Sequence, residues 1–396
     1  MRAACANASC RGSDLARFAE VFGAFLRLGL TSFGGPVAHI GYFREEFVTR
    51  RKWLGDGDYA ELVALCQFLP GPASSQVGFA LGLMRAGWLG AIAAFVGFTL
   101  PSVLIMVAVA MGAGLAGLSG VIAALKLVAV AVVAQAVIGM ARTLCPDGPR
   151  ATIAVGAVAA LAVLSGPWVM VVLILAGAMF GAALRLDKGA GQGGLSIPVA
   201  RPVALVALAL FAYGLIGLPL LAAQGAGFAL ADSMFRAGAL VFGGGHVVLP
   251  LLQSELVATG QVSESAFLAG YAAAQAIPGP LFTFATYLGA LGGLGGAVIA
   301  TLAIFAPGFL LLVAALPFWQ ALRSKALIRA GMAGANAAVV GILGAALYDP
   351  VFTSAVGSLG QFAFALACFI ALQVWRLPAW AVVLGAGVAG VLGLAG

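Results

Sequence analysis

Charged side chains are scarce in this 396-residue sequence: they make up 8% of its residues, whereas hydrophobic ones make up 63%. An ordinary soluble domain carries about a quarter charged residues, so that class of protein is excluded. A membrane-spanning helix needs roughly 20 largely apolar residues, and runs of that kind fill nearly the whole chain. The sequence therefore predicts an all-α, polytopic membrane protein.

Metal-binding and phosphate-binding motifs are also lacking. The chain has two histidines and five cysteines, and no two cysteines stand in a Cys-x-x-Cys pair. A zinc or iron–sulfur centre is therefore not expected, and we predict no metal and no cofactor. A phosphate loop of the Gly-x-x-x-x-Gly-Lys type is missing too, which argues against an ATP-driven pump within this chain.

The formal net charge of +7 does not indicate nucleic-acid binding. The basic residues are spread mostly over the predicted loops, without the basic and aromatic patch that such binding needs. Basic loops are instead typical of orientation in a bilayer. We predict membrane lipid as a partner and no nucleic acid.

Two unusual motifs each occur twice. Phe33-Gly34-Gly35-Pro36 returns as Phe242-Gly243-Gly244-Gly245, shifted by 209 residues, and the stretch Gln67 to Pro72 returns as Gln275 to Pro280, shifted by 208. A weaker third match follows in the same order. The chain is therefore predicted to be a duplication.

Hydropathy divides the duplicated chain into four parts. Residues 1–16 are predicted to be a cytoplasmic tail, 17–185 a first repeat, 186–231 a linker with one extra span, and 232–396 a second repeat. This division gives about 13 spans, and an odd number of crossings between equivalent points makes the repeats inverted. Ten to twelve spans with re-entrant segments is the alternative. The distribution of loop arginines and lysines favours a cytoplasmic amino terminus, with four exceptions in one loop: Arg44, Arg50, Arg51 and Lys52.

The repeated motifs predict broken helices. Proline lacks an N–H and clashes with the preceding turn, so Pro70-Gly71-Pro72 and Pro278-Gly279-Pro280 should interrupt their helices. Irregular backbone at bilayer depth is tolerated where it is buried in protein or lines a cavity. A helix that restarts after such a break presents free N–H groups that bind anions. Gln67 and Gln275, three residues before each break, are predicted to add uncharged donors.

Arg27 and Arg236 occupy matching positions, six residues before each Phe-Gly-Gly. An unpaired charge inside the bilayer costs at least about 2.5–3.5 kcal/mol, so each arginine should face a cavity, an acid or a bound anion. Snorkelling to an interface, or a permanent pair with Glu46 or Glu255, is the structural alternative. His39, His246, Glu46 and Glu255 are candidates for proton coupling.

These motifs resemble the chromate ion transporter family in its long two-domain form. The resemblance implies a bacterial inner-membrane carrier that exports chromate and is driven by the proton-motive force. It also implies that sulfate competes with chromate for the carrier. A homodimer is left open. The pathway residues that it marks are Arg27, Gly34, Gly35, Pro36, His39, Gln67, Pro70, Gly71 and Pro72 in the first copy, and Arg236, Gly243, Gly244, His246, Gln275, Pro278, Gly279 and Pro280 in the second.

The residues alone leave other functions open. Chromate and sulfate are similar tetrahedral dianions, so a carrier of sulfate or another oxyanion is an alternative. A membrane-embedded enzyme would use Asp56, Asp58 and Glu61, which lie at the entrance to a predicted span. A channel is a further alternative, although a channel would not need two opposed sets of broken helices.

Overall fold

The computed structural model describes residues 2–32, 35–112, 119–164, 169–186, 197, 199–241, 248–319 and 325–393. In these residues the chain is helical and contains no strand, as the sequence predicted. The helices are α1 (Arg2–Thr31), α2 (Gly35–Phe43), α3 (Asp56–Phe68), α4 (Ala73–Gly112), α5 (Ser119–Leu144), α6 (Gly148–Val163), α7 (Val169–Ala183), α8 (Arg201–Ala222), α9 (Ala226–Leu240), α10 (Val248–Leu252), α11 (Glu264–Ala276), α12 (Phe284–Ala290), α13 (Leu294–Ala315), α14 (Ala326–Ala346), α15 (Leu359–Gln373) and α16 (Ala379–Val391).

Five helices of the described residues are both long and apolar enough to cross a membrane. These are Ala73–Gly112, Ala123–Leu144, Arg201–Ala222, Leu294–Phe318 and Ala326–Asp349. Several other predicted spans are apolar helices of 10–17 residues. The chain is thus a multi-pass helical protein, while the total of 13 spans stays a prediction. Helix α1 starts at Arg2, so it includes most of the stretch predicted as a tail.

Both copies contain the same tight helical turn, which the sequence signalled only by its spacing. Helix α4 is divided at Ala86 and Gly87, where Gly87 has a φ of 64° that suits glycine. A side chain at Gly82 would collide with the backbone of Gly90 across this turn, and one at Gly289 would collide with Gly296. The two pairs are 206–207 residues apart. The duplication is therefore visible in three dimensions.

The two copies exchange their later helices. Helix α5 of the first copy packs against α15 and α16 of the second, and α14 of the second packs against α6 and α7 of the first. Glycines allow close backbone approach at both crossings: Gly120 meets Gly390, and Gly334 meets Gly177. Each copy therefore completes the packing of the other.

Three of the four basic residues that break the charge rule form ion pairs with acids. Arg44 pairs with Asp56 at 2.7 Å, while Arg50 and Arg51 pair with Glu46 at 2.8 and 2.7 Å. The loop before α3 therefore carries much less uncompensated positive charge than its sequence suggests.

Candidate functional site

The first predicted break is confirmed. Helix α3 ends at Phe68, Leu69 is extended with a ψ of 148°, and α4 begins at Ala73. Between them Gly71 has a φ of 120°, a conformation that favours glycine. The prolines on either side explain the interruption, because neither can donate a helical hydrogen bond.

The second predicted break is confirmed as well, with a different exit. Helix α11 ends at Ala276, Ile277 is extended, and Gly279 has a φ of 97°. The chain then makes one 3₁₀ turn, Leu281–Thr283, before α12 begins. The first break thus leads directly into an α-helix and the second does not.

The two breaks are joined by exchanged backbone hydrogen bonds. The N–H of Gly71 donates to the carbonyl of Val241 at 2.7 Å, and the N–H of Gly279 donates to the carbonyl of Ser32 at 3.0 Å. Ser32 and Val241 each immediately precede a Phe-Gly-Gly motif. Each break is therefore hydrogen-bonded to the residue that immediately precedes the Phe-Gly-Gly motif of the other copy, in a reciprocal pattern.

The central glycines of the two breaks, Gly71 and Gly279, have no room for a side chain, in addition to having a φ that favours glycine. A Cβ at Gly71 would lie 2.7 Å from the Cα of Gly308, and one at Gly279 would lie 2.9 Å from the Oγ of Ser102. Gly308 and Ser102 occupy matching places, one residue after the aligned prolines Pro307 and Pro101. The Pro-Gly-Pro motifs thus pack at the junction of the two copies.

Five buried polar atoms, one directly after α1, one on α2 and three on α4, have no hydrogen-bond partner among the described residues. They are Ser32 Oγ, His39 Nε2, Ser75 Oγ, Gln76 Oε1 and Thr99 Oγ1. Leaving such an atom unsatisfied costs about 1–3 kcal/mol, so a cluster of them indicates a place for water or a polar ligand. The N–H groups of the first turn of α4, which have no intrahelical acceptor, lie at the same point.

His39 and Gln76 link this polar cluster to the break. The Nδ1 of His39 lies 3.4 Å from the hydroxyl of Ser74, and its ring meets the edge of Phe98. The Nε2 of Gln76 donates to the carbonyls of Pro70 and Gly308, at 3.1 and 2.9 Å. The cluster is therefore uncharged and lies against the junction of the copies.

Not every predicted site residue is placed equally near the breaks. Gln275 is buried, whereas Gln67 is exposed on the last turn of α3, and Gln76 takes the place at the first break that sequence reasoning gave to Gln67. Gly35, with a φ of 77°, and Pro36 begin α2. Gly34, Gly243, Gly244 and His246 lie outside the described residues.

The second predicted arginine, Arg236, is held between two acids. Its guanidinium lies 2.9 Å from Asp232 and 2.9 Å from Glu255. Asp232 lies one turn earlier on α9 and was missed by sequence reasoning, although its spacing of four residues from Arg236 suits a helical ion pair. Glu255 belongs to a π-helical turn, Gln253–Val257.

The first arginine, Arg27, has a different environment. Its side chain is exposed and forms no ion pair with any carboxylate in the described part of the chain. Glu46, the counterpart of Glu255, is buried in the π-helical turn Arg44–Arg50 and pairs with Arg50 and Arg51 instead. The predicted alternative of a pair with an acid is therefore wrong for Arg27 and Glu46, whereas Arg236 does pair with Glu255.

Glu46 is nevertheless near Arg27. Burial by itself raises the pKa of Glu46, but the hydrogen bond and charge of Arg51, with the charges of Arg50 and Arg27, bring that pKa below its ordinary value. Glu46 is thus ionised at neutral pH, and its negative charge reduces the repulsion between the arginines of this region.

The carboxylates of the enzyme alternative do not form one site. Asp56 pairs with Arg44 and is exposed, Asp58 is exposed, and Glu61 is buried and accepts a hydrogen bond from Trp319 at 3.1 Å. No cluster of three or more metal-ligating side chains occurs in the part of the chain that the structure describes.

Comparison with known proteins decides the family. A family model described as chromate transporter matches residues 19–182 and again residues 228–391. The chain belongs to the chromate transporter family. Its two matched segments confirm the duplication.

Relatives of this chromate transporter span most of its length. A chromate transport protein of Pseudomonas aeruginosa is 31% identical over 396 residues, which covers 95% of this chain and 92% of that protein. A chromate transport protein of Cupriavidus metallidurans is 28% identical, covering 81% and 79%, and an uncharacterized transporter of Methanocaldococcus jannaschii is 28% identical, covering 78% of each. No solved structure matches the chain. The names of these relatives favour a transporter over a membrane-embedded enzyme.

Proposed function

We propose that this chromate transporter exports chromate from the cytoplasm across a bacterial inner membrane, is driven by the proton-motive force, and binds sulfate as a competitor. The observation that carries the site is the reciprocal pair of hydrogen bonds between Gly71 and Val241 and between Gly279 and Ser32. It joins the two Pro-Gly-Pro breaks to the residues that precede the Phe-Gly-Gly motifs, at a junction where a substrate can contact both halves.

The first-copy break is the proposed anion site. The free N–H groups at the start of α4 carry the positive end of the helix dipole, which favours an anion. The unpartnered hydroxyls of Ser32, Ser75 and Thr99 can donate to the remaining oxygens of a tetrahedral ligand. Sulfate presents the same four oxygens as chromate, which is why it should compete.

Arg27 is the proposed source of positive charge for the dianion. Because no described acid pairs with it, its planar guanidinium is available for a bidentate contact with two oxyanion oxygens. Arg236 differs, since two carboxylates already occupy it.

Alternating access is the proposed mechanism. Repeats of inverted topology with broken helices near the midplane are typical of secondary transporters, whose halves rock around a fixed site. The exchanged helices α5 and α14 support this proposal, because they tie each half to the other while the breaks remain at the junction.

Radiolabelled chromate uptake into everted vesicles tests the proposal. Wild-type vesicles should accumulate chromate, an uncoupler should abolish accumulation, and excess sulfate should reduce it. Arg27→Ala should lower kcat/KM about 10- to 100-fold, the worth of one charge-assisted contact, and Arg27→Lys should recover part of it. Arg17→Ala, on the exposed face of the same helix, is the matched control and should behave as wild type. Unchanged transport by Arg27→Ala would remove Arg27 from the site, and uncoupler-insensitive flux would favour a channel.

A further inference from the structure

The group formed by Asp232, Arg236 and Glu255, here called the second-copy triad, carries one more negative than positive charge. Both carboxylates contact the same guanidinium nitrogen, Nη2, at 2.9 Å. Asp232 is 96% buried. A buried group of net charge −1 is costly, so it has a strong tendency to gain one positive charge.

Two buried atoms of the second-copy triad, Asp232 Oδ1 and Arg236 Nε, are left without a hydrogen-bond partner among the described residues. Asp232 Oδ1 is buried and accepts no hydrogen bond from any described residue, although Oδ2 of the same carboxylate is bound by Arg236. An ionised carboxylate oxygen normally accepts hydrogen bonds when it is buried. The free oxygen is therefore placed where a proton would remove the excess charge.

Among the residues that the structure describes, the surroundings of the second-copy triad add no other charge that could do this. The charged groups acting on Asp232 and Glu255 are Arg236 and the triad's own carboxylates. Helices α10 and α13, which pack against α9, contain no titratable side chain, and α8 contributes the exposed Arg201 and Tyr213. His246 lies outside the described residues.

A metal cation fits this group poorly. The guanidinium between the two carboxylates repels a second cation, and Ca²⁺ or Mg²⁺ needs six or more oxygen ligands. A proton needs a single carboxylate lone pair. The chemistry of the second-copy triad thus favours a proton over a metal ion.

The second-copy triad is also linked to the proposed anion site. Arg236 lies five residues before Val241, whose carbonyl accepts the hydrogen bond from Gly71 in the first break. A change in the net charge of the second-copy triad therefore acts on α9, which ends at Leu240, directly before Val241. On its other side, the π-helical turn that contains Glu255 borders a cavity of about 1000 Å³, lined in part by Gln253 and Ser254 but not by Glu255 itself.

We propose that the carboxylates of Asp232 and Glu255, which both contact Arg236, share one exchangeable proton. The second copy is then the proton-binding half of the transporter. The proton adds to a carboxylate oxygen as O–H, and the net charge of the second-copy triad changes from −1 to 0. This inference rests on the proposed proton-coupled export of chromate. The first copy cannot form such a group, because Gly23 stands where the second copy has Asp232.

Proton movement per chromate tests the inference in proteoliposomes that contain a pH-sensitive dye. A chromate gradient across wild-type proteoliposomes should move protons, and Asp232→Asn should lower the ratio of protons to chromate at least tenfold. Chromate–chromate exchange, which needs no net proton movement, should persist at a reduced rate and so report a folded variant. Glu255→Gln should also lower the ratio, and the exposed Asp56→Asn is the control that should keep it.

Infrared difference spectra of the purified protein between high and low pH provide a second readout. The wild type should show a protonated carboxyl band that is missing in Asp232→Asn or Glu255→Gln, whether or not the variant transports. A wild-type ratio of protons to chromate in both variants would overturn the inference, as would coupling to sodium ions instead of protons. Failure of the proposed function looks different: wild-type proteoliposomes would then move no chromate at all.

Discussion

The two copies share a scaffold and differ in what their polar positions hold. At the first break the buried unpartnered atoms belong to neutral side chains, and Arg27 forms no ion pair with a described carboxylate. In the second copy the matching arginine is held by Asp232 and Glu255. The duplication therefore kept the backbone geometry that joins the halves, while the surroundings of its charged groups diverged.

The shared part of the scaffold depends on backbone atoms and on glycines, which have no side chain. The exchanged hydrogen bonds use backbone groups of Gly71 and Gly279, and the close crossings use glycines such as Gly82 and Gly289. Sequence differences elsewhere leave such contacts intact. This explains how the two copies can diverge chemically without losing their common fold.

The largest expected effect comes from removing the paired arginine. Arg236→Ala leaves two mostly buried carboxylates without their counter-charge, which should cost about 3–5 kcal/mol of stability. Arg27→Ala, the matching change in the first copy, should cost less than about 1 kcal/mol because no ion pair is lost. Thermal unfolding in detergent measures both.

A rescue sharpens this contrast between the copies. Adding Asp232→Asn and Glu255→Gln to Arg236→Ala removes the repulsive charges and should recover most of the lost stability. Equal destabilisation by Arg236→Ala and Arg27→Ala would contradict the difference in their surroundings.

The second effect in size concerns the first break. Gly71→Ala forces a residue with a Cβ into a φ of 120° and toward the Cα of Gly308, and should cost about 2–4 kcal/mol. Gly279→Ala meets a side-chain hydroxyl rather than backbone, so Ser102→Gly should partly rescue it but not Gly71→Ala. Gly156→Ala, where a Cβ meets nothing within 4 Å, is the control. Unfolding midpoints measure all four variants, and a harmless Gly71→Ala would show that the junction is looser than described.

The smallest expected effect comes from giving the first copy an acid like that of the second. Gly23→Asp places a carboxylate one helical turn before Arg27, as Asp232 stands before Arg236. The new ion pair, worth about 0.5–1 kcal/mol, should raise the KM for chromate roughly 2- to 5-fold. Gly23→Asn has the same shape without the charge and should leave KM near the wild-type value. If both variants have equal KM values, the freedom of Arg27 does not matter for binding.

The helix breaks were predictable because their cause is local. Proline removes a hydrogen-bond donor wherever it stands, and Pro70-Gly71-Pro72 and its repeat therefore signal a break without any knowledge of tertiary structure. The duplication was predictable for a similar reason, since matched spacing can be read directly from the chain.

The partners of the side chains were not predictable in the same way. The exposed Gln67 and the buried Gln76 lie on opposite sides of one break, and the choice between them depends on how each helix packs. Glu46 pairs with Arg50 and Arg51 because a π-helical turn brings them together, and no pattern in the sequence predicts that turn. The exchange of α5 and α14 between the copies is a long-range arrangement with no local signal.

An anomalous difference map at the chromium absorption edge, from crystals grown with chromate, tests the central claim most directly. We predict a peak at the start of α4, placed so that the chromate oxygens reach the hydroxyl of Ser75 and the free N–H groups of the first helical turn, and no peak at the second-copy triad. A peak beside Arg236, or peaks of equal height in both copies, would contradict the assignment of anion binding to the first copy.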